Sequence, residues 1–435
     1  MKVFTTFSPA LRWNLTILFV AGLCFWAGLA GLLPTLPLFI ETLGATGSQI
    51  GVVMASFAFG LLVARPWLAR LADERGRKLV MLIGIVAIAI APFLYLLAVV
   101  LPPLTGQIRL GDQTITVNGV LLLLMVFRAF HGLSIAAFVV AYSALVIDIS
   151  PPANRGELIG YMSLVNPIGM ALGPALGGFL LEWQNFSVAF TAMGILGILG
   201  IVCVTQVKET YTPRPAVPAI GAARPVFWSL LWTPRVRTPA MILLLVGLAF
   251  GTLSTFVPLF VRETGLALNV GLIYTASAIA SFGIRLLVGR ASDRHGRGRF
   301  ITMGLLLYTL SMLTFWQATT PAMFLIAGLI QGGAAGTLIP MIAVLMGDRS
   351  AADERGKVFG LVMVGFDVGI AIAGPLFGTF ADWASYRDCF GLAGLMTFLG
   401  FLIFITASSK SLKHSLQFSL GQGRDIYAVE AQAAD

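Results

Sequence analysis

Residues Gly160 to Gly178 read GYMSLVNPIGMALGPALGG, a stretch that combines helix length with many small residues. The apolar run from Leu158 to Leu181 is long enough to cross a bilayer as one helix. Glycines at these spacings bare one helix face for a closely packed neighbour, and Pro174 is expected to bend the helix. A helix that merely packs tightly is the simpler interpretation. So many small positions instead favour a contact that forms and breaks: Gly160, Gly169, Gly173, Pro174, Gly177 and Gly178.

The composition is that of an integral membrane protein. Of 435 residues, 58% are hydrophobic and 11% are charged, whereas soluble domains carry about 25% charged residues. Cys24, Cys203 and Cys389 lie far apart in apolar runs, which indicates packing residues without a disulfide or metal site. The first apolar run, after Lys2 and Arg12, is too long for a signal-peptide core, so we expect it to be retained.

Hydropathy over windows of about 20 residues predicts twelve membrane spans, six in each half of the chain. A polar linker rich in Pro and Arg separates the halves and is expected to be a loop, with room for a short surface helix. The tail after the last span is expected to be poorly ordered. The predicted spans are 14–39, 48–69, 79–101, 119–147, 158–181, 186–206, 239–261, 268–289, 300–318, 322–346, 358–380 and 388–408.

The distribution of basic residues predicts the orientation. With these spans, most Lys and Arg residues lie on the side of the termini, while Arg109, Arg262 and Arg387 lie on the other side. Because positive charge stays inside, both termini are predicted to be cytoplasmic. The basic residues are spread over many short loops, so the net charge of +9 does not indicate nucleic-acid binding.

The two halves repeat in sequence, which indicates two bundles of the same design. RPWLARLADERGR at residues 65–77 corresponds to RLLVGRASDRHGR at residues 285–297, an offset of 220. Later the offset is 200, and extra loop near 102–118 explains the change. The pairs at the second offset include Gly132 and Gly332, Asp148 and Asp348, Arg155 and Arg355, Gly160 and Gly360, and Gly169 and Gly369.

The fifth span resembles the signature G-x8-G-x3-G-P-x2-G-G of drug:proton antiporters in the major facilitator superfamily, with every fixed position filled. This resemblance implies an all-α fold of two pseudo-symmetric six-helix bundles, with the glycines of the signature and their partial echo (Gly360, Gly369, Gly374-Pro375 and Gly378) at the bundle interface. It also implies an exporter in the inner membrane, acting on a small molecule and protons as a monomer. The predicted parts are an N-terminal bundle (1–206), a cytoplasmic linker (207–238), a C-terminal bundle (239–408) and a cytoplasmic tail (409–435).

The loop between spans two and three resembles the family motif G-x-L-A-D-R-x-G-R-K, with Ala69 in place of Gly and Glu74 in place of the usual basic residue. In the family this loop is a cytoplasmic latch, in which the aspartate would lie near the N-terminus of span eleven, where the helix dipole favours a carboxylate. A simple positive anchor is the alternative. The predicted latch residues of both halves are Asp73, Gly76, Arg77, Asp293, Gly296 and Arg297.

Span four contains RAFHG, which resembles the family pattern R-x-x-Q-G, with His131 in place of Gln. A charge inside a span costs at least about 2.5–3.5 kcal/mol and needs a reason to be there. In the family the arginine is linked to proton coupling, which here implies Arg128. A purely structural arginine remains the alternative. His131, on nearly the same helix face, is either a second proton carrier or a neutral hydrogen-bonding residue.

Asp367, within span eleven, is the carboxylate predicted to lie well inside a span. An ionisable residue there is a functional candidate by default. It would hold a proton or pair with a cationic substrate, or else be a static partner of Arg128 or Arg285. Candidate residues for a substrate cavity are aromatic or polar groups within apolar runs: Phe25, Trp26, Asn166, Tyr274 and Gln331.

Several motifs are absent from the sequence. It has no phosphate-binding loop, no H-E-x-x-H, no G-x-S-x-G and only three histidines. We therefore predict no enzyme activity, no cofactor and no metal. The predicted function is proton-coupled export of a small organic molecule by alternating access. The alternatives are an importer or facilitator for sugar or another metabolite and, in another class, a lipid flippase or a non-transporting sensor.

Overall fold

The computed structural model describes residues 7–101, 105–110, 113–151, 154–209, 227–351, 354–423 and 425–429. The chain groups into two compact units. The first unit is Met1–Pro218 with Asn269–Gly271, and the second is Ala219–Leu268 with Leu272–Asp435.

Long helices dominate both halves of the chain. The elements of the first half are α1 (Pro9–Gly31), α2 (Leu36–Thr42), α3 (Gly47–Arg75), α4 (Arg77–Val100), β1 (Thr105–Leu110), β2 (Gln113–Asn118), α5 (Gly119–Ile149), α6 (Arg155–Ser163), α7 (Val165–Trp183) and α8 (Phe186–Gln206). Those of the second half are a 3₁₀ turn (Phe227–Trp232), α9 (Pro234–Thr264), α10 (Val270–His295), α11 (Arg297–Trp316), α12 (Pro321–Asp348), α13 (Arg355–Ala381), α14 (Tyr386–Ala407) and α15 (Leu412–Ser419).

The prediction of twelve spans is confirmed. Within the described residues, twelve helical segments are long and apolar enough to cross a membrane, and each overlaps one predicted span. The first span consists of α1 and α2, and the fifth consists of α6 and α7. The chain is therefore a multi-pass membrane protein.

The fifth span is interrupted near its middle. α6 ends at Ser163 and α7 begins at Val165, while Pro174 lies inside α7. Pro167 accounts for the break, because a proline has no N–H to donate to the carbonyl four residues earlier, that of Ser163. The repeat position in the second half is Asp367, which keeps its N–H, and α13 runs through it without interruption.

A short β-ribbon is the exception to the all-α prediction within the described residues. It lies in the loop near residues 102–118 that lengthens the first half. β1 and β2 pair antiparallel, from Thr105 opposite Asn118 to Leu110 opposite Gln113. The Asn118 side chain then caps α5 by accepting a 3.0 Å hydrogen bond from the backbone N–H of Val120.

The expectation of a poorly ordered tail is wrong for the described residues 409–423 and 425–429. α15 packs its buried Phe418 against the core of the second unit. Beyond it, Asp425 forms a bidentate ion pair with Arg349, at 2.7 Å to Nε and 3.0 Å to Nη2. Arg349 also donates to the backbone carbonyls of Arg235 and Ser408, at 3.2 and 3.0 Å. The polar composition of the tail therefore gave no sign that the Arg349–Asp425 ion pair holds it in place.

The Arg349–Asp425 pair should contribute strongly to the stability of the second unit. The two side chains are 1% and 10% exposed, so replacing Asp425 with alanine leaves a buried guanidinium without its carboxylate. We expect a loss of about 3 kcal/mol in the free energy of unfolding, measured in mixed micelles. The matched control is Glu354→Ala, which breaks the more exposed pair with Arg235 (3.0 Å) and should cost at most about 1 kcal/mol. Equal stability of the two variants would contradict this account.

Candidate functional site

A buried polar cluster lies inside the first unit, where α3, α4 and α5 meet. Arg128 is 6% exposed, and His131 and Tyr95 are fully buried. Nδ1 of His131 lies 2.8 Å from the Tyr95 hydroxyl and 3.2 Å from Nη1 of Arg128. The Arg128 guanidinium stacks over the Phe57 ring at 4.5 Å from its centroid, a cation–π contact. Three helices therefore hold the arginine in one position.

The donor and acceptor roles at His131 depend on which ring nitrogen carries the proton. An arginine can only donate, so the Arg128 contact is a hydrogen bond when Nδ1 is an acceptor, which places the ring proton on Nε2. In that tautomer His131 is a neutral hydrogen-bonding residue, and a proton on Nδ1 would break the bond to Arg128. Nε2 of His131 and Nε of Arg128 are buried and have no hydrogen-bond partner within the described residues.

Close helix packing around this cluster depends on two glycines. A Cβ on Gly132 would collide with the carbonyl oxygen of Phe57, and one on Gly60 would collide with the carbonyl oxygen of Ala129. α3 and α5 therefore cross at backbone contact, which brings the Phe57 ring against Arg128 and His131.

The second unit contains an uncharged counterpart of this cluster. Gln331, at the repeat position of His131, accepts from Ser277 and donates to the Tyr308 hydroxyl at 3.3 Å. Ser277 is the repeat position of Phe57, and a Cβ on Gly332 would collide with the Ser277 carbonyl oxygen. The repeat thus preserves a buried polar contact between neighbouring spans, and the cation is particular to the first half.

Asp367 lies inside its span, as its position in the sequence predicts. The residue is 4% exposed, on the part of α13 that packs against α9. Cβ atoms on the flanking Gly365 and Gly369 would collide with the carbonyl oxygens of Ala240 and Leu244 on α9. The carboxylate is therefore carried by a tightly packed helix pair.

The glycines of the fifth span pack against the first span within the same unit. A Cβ on Gly169 would meet Trp26, and Cβ atoms on Gly173 and Gly177 would meet the carbonyl oxygens of Ala27 and Gly31. Gly160 has open space around its Cβ position. A Cβ on Gly178 would meet Asn269, which groups with the first unit. The small-residue face of α7 therefore packs largely against α1, through Gly169, Gly173 and Gly177.

The predicted latch residues form matching ion pairs in the two halves. Arg77 pairs with Asp73 at 2.8 Å and with Asp148 at 3.6 Å. Arg297 pairs with Asp348, the repeat position of Asp148, at 3.4 Å. The side chain of Asp293 lies outside the described part of the structure.

The turns before these arginines require glycine. Gly76 and Gly296 have φ angles of 101° and 83°, in the region that side chains disfavour. In the first half, the Glu209 carboxylate caps the helix that follows, accepting from the backbone N–H groups of Arg77 and Lys78 at 2.6 and 2.9 Å. Glu209 was not predicted, although it is the first acid after the sixth span.

The five predicted cavity residues differ in their surroundings. Phe25 is fully buried and stacks on Phe138 at 4.0 Å, which gives it a packing role in this conformation. Tyr274 donates to the Leu253 carbonyl at 3.2 Å, and Gln331 belongs to the polar cluster described above. Trp26 and Asn166 are half-buried.

Comparison with known proteins decides the family. The sequence profile described as Major Facilitator Superfamily matches residues 18–290 and 266–422. The chain belongs to this superfamily. Its resemblance to multidrug efflux transporters is likewise confirmed by named relatives. A multidrug resistance protein MdtG of Serratia proteamaculans is 27% identical over 85% of this chain and 87% of its own length. The quinolone resistance protein NorA of Staphylococcus aureus is 26% identical over 86% of this chain and 92% of its own length.

Solved structures of low identity support the fold. The chain is similar to a mutant of the nucleoside transporter NupG, with a TM-score of 0.72 at 14% identity, covering 91% of this chain and 100% of that one. A bacterial homolog of the human lysosomal transporter Spinster gives a TM-score of 0.71 at 14% identity, covering 94% and 98%. The predicted fold is thus confirmed.

Membership of the Major Facilitator Superfamily makes the chain a transporter rather than an enzyme, with a small-molecule substrate. Tyr95 and Phe57 escaped the sequence analysis because Tyr and Phe in spans usually serve packing. Phe57 could have been found from the repeat, because the offset of 220 aligns it with the polar residue Ser277 of the second half.

Proposed function

We propose that this transporter exports a drug-like organic molecule in exchange for protons, by alternating access, in the inner membrane with both termini cytoplasmic. The observation that carries the proposal is Arg128. Among the described residues of the first unit, Arg128 contacts His131 and the Phe57 ring, and neither is a carboxylate. A buried cation without a carboxylate is costly, and a transporter keeps one where charge changes during the cycle.

In the proposed cycle, Arg128 and His131 respond together to protons. A proton on Nδ1 of His131 would remove the acceptor that Arg128 now uses and place two cations in contact. Asp367 is the carboxylate that we propose to take up and release the coupled proton. The ion pairs that Arg77 and Arg297 form with nearby aspartates are the proposed cytoplasmic latch. Gly160, Pro174 and Gly178 remain the candidates for a contact between the bundles.

The names of the relatives and the fifth-span signature support export over import. The test uses inside-out membrane vesicles with an acidic lumen and a fluorescent quinolone as the probe. We expect the quinolone to accumulate in the lumen as protons leave, and a protonophore to abolish the accumulation. A transporter that moves quinolones only down their own gradient, whatever the pH gradient, would contradict antiport.

Replacing Asp367 with asparagine should lower this gradient-driven accumulation, because the amide cannot take up and release a proton. The variant should fold, since asparagine keeps the shape of the side chain. Vesicles without the transporter control for passive trapping of the probe. Asp367→Asn vesicles that match the wild type would remove Asp367 from the coupling mechanism.

A further inference from the structure

A groove of about 610 Å³ runs along α11 in the second unit and is closed at one end by the C-terminal tail. Arg299, Thr302, Leu306 and Leu310 line it from α11, and Ser419 and Gln422 line it from the tail. The α11 residues recur at three- and four-residue spacing, so they occupy one face of the helix. The groove thus has a polar end, formed by Arg299, Thr302, Ser419 and Gln422. Its apolar floor is formed by Leu306 and Leu310.

The apolar floor faces the hydrocarbon region. α11 is one of the twelve spans, and Leu306 and Leu310 remain 44% and 50% exposed. At that depth the surrounding solvent is lipid, so an acyl chain covers these leucines. The residues from Arg299 to Leu310 cover about 16 Å of helix, at about 1.5 Å per residue.

The polar end is suited to an anion. The Arg299 side chain is exposed in the first turn of α11, where the helix dipole also favours negative charge. No carboxylate of the described chain lies within ion-pair distance of Arg299. The Thr302 hydroxyl is already engaged, donating to the Ser419 carbonyl at 2.9 Å. Arg299 and the neighbouring Gln422 therefore remain for a ligand.

The tail forms the closed end because it lies directly on α11. A Cβ on Gly298 would collide with the Phe418 carbonyl oxygen, so the two backbones touch there. Further along the tail, the Arg349–Asp425 pair anchors the chain. The tail adds Ser419 and Gln422 to the polar end, which is complete only while the tail is docked.

We propose that this groove binds one acidic phospholipid, with its phosphate on Arg299 and an acyl chain along Leu306 and Leu310. The site is independent of the direction of transport and of the coupling ion. Because the tail completes it, the bound lipid and the docked tail stabilise each other.

Photo-crosslinking tests the proposal. The full-length protein is placed in phosphatidylcholine nanodiscs with a trace of phosphatidylglycerol that carries a diazirine on its acyl chain. We expect crosslinks on the α11 peptide that contains Leu306 and Leu310, and competition by unlabelled phosphatidylglycerol but not by extra phosphatidylcholine. Competition by free glycerol phosphate alone would instead identify a soluble phosphate site and overturn the proposal.

Two variants separate the headgroup from the acyl chain. Arg299→Gln should lower the crosslink yield about fivefold, from the loss of one basic residue at the membrane surface. Leu306→Trp should also lower the crosslink yield, because the larger side chain occupies the space of the acyl chain while Arg299 is unchanged. The matched control, Lys357→Gln, removes an exposed cation outside the groove, on α13, and should leave the yield unchanged. Crosslinks that are insensitive to Arg299→Gln, or equally sensitive to Lys357→Gln, would overturn the proposal.

Discussion

Replacing Arg128 with leucine should abolish pH-gradient-driven transport and leave the transporter folded. The guanidinium is the one charge of the cluster that it forms with Tyr95, His131 and Phe57 within the described part of the chain. Without it, protonation of His131 no longer opposes a neighbouring cation. His131 keeps its 2.8 Å hydrogen bond to the Tyr95 hydroxyl, so no buried acceptor is orphaned. Leucine also removes the cost of burying the guanidinium, so the variant should stay folded.

Counterflow separates loss of coupling from loss of transport. In proteoliposomes without a pH gradient, the Arg128→Leu variant should still exchange labelled for unlabelled quinolone, because exchange needs no net proton movement. The same variant should fail to accumulate quinolone in acidic inside-out vesicles. Full accumulation would remove Arg128 from the coupling mechanism.

Two further variants, at His131 and at Arg128 itself, separate the roles of the two residues. His131→Gln keeps an acceptor for Arg128 but cannot take up a proton, so gradient-driven accumulation should fall while counterflow persists. Arg128→Lys keeps the charge but loses the planar guanidinium that stacks over Phe57. We expect it to be impaired, with activity between those of leucine and arginine.

The sequence predicts those parts of the structure that depend on local pattern. Hydropathy locates the spans, and the offsets of 220 and 200 pair Arg77 with Arg297 and Asp148 with Asp348 before any ion pair is visible. The proximity of Arg128 and His131 follows from their spacing on one helix. Each of these inferences uses separations that a helix or a repeat fixes by itself.

Contacts between distant segments could not be predicted in this way. Tyr95 reaches His131 from another helix, 36 residues away, and Asp425 reaches Arg349 across 76 residues. The tail carries no long apolar run, so hydropathy gave no reason to expect it to dock. The fifth-span glycines indicated a close helix contact, but a glycine pattern does not specify which helix fills it.

Replacing Gly173 with leucine should prevent the first unit from packing correctly. The carbonyl oxygen of Ala27 occupies the space where a Cβ would be, and the neighbouring Gly177 meets the Gly31 carbonyl in the same way. A side chain there must push α7 away from α1 at this point, where the two backbones touch because the residues are small. We expect a loss of about 3 kcal/mol or more in unfolding free energy, together with low yield of folded protein.

Gly160→Leu is the matched control for Gly173→Leu, since nothing lies within 4 Å of its Cβ position. This variant should unfold like the wild type. Transport by Gly160→Leu then tests the proposed contact between the bundles: loss of export in a normally stable protein would support a seam at Gly160. Normal export by Gly160→Leu would remove Gly160 from the proposed contact between the bundles. Normal stability of Gly173→Leu would contradict the packing of α7 on α1, because that packing leaves no room for any side chain at this position.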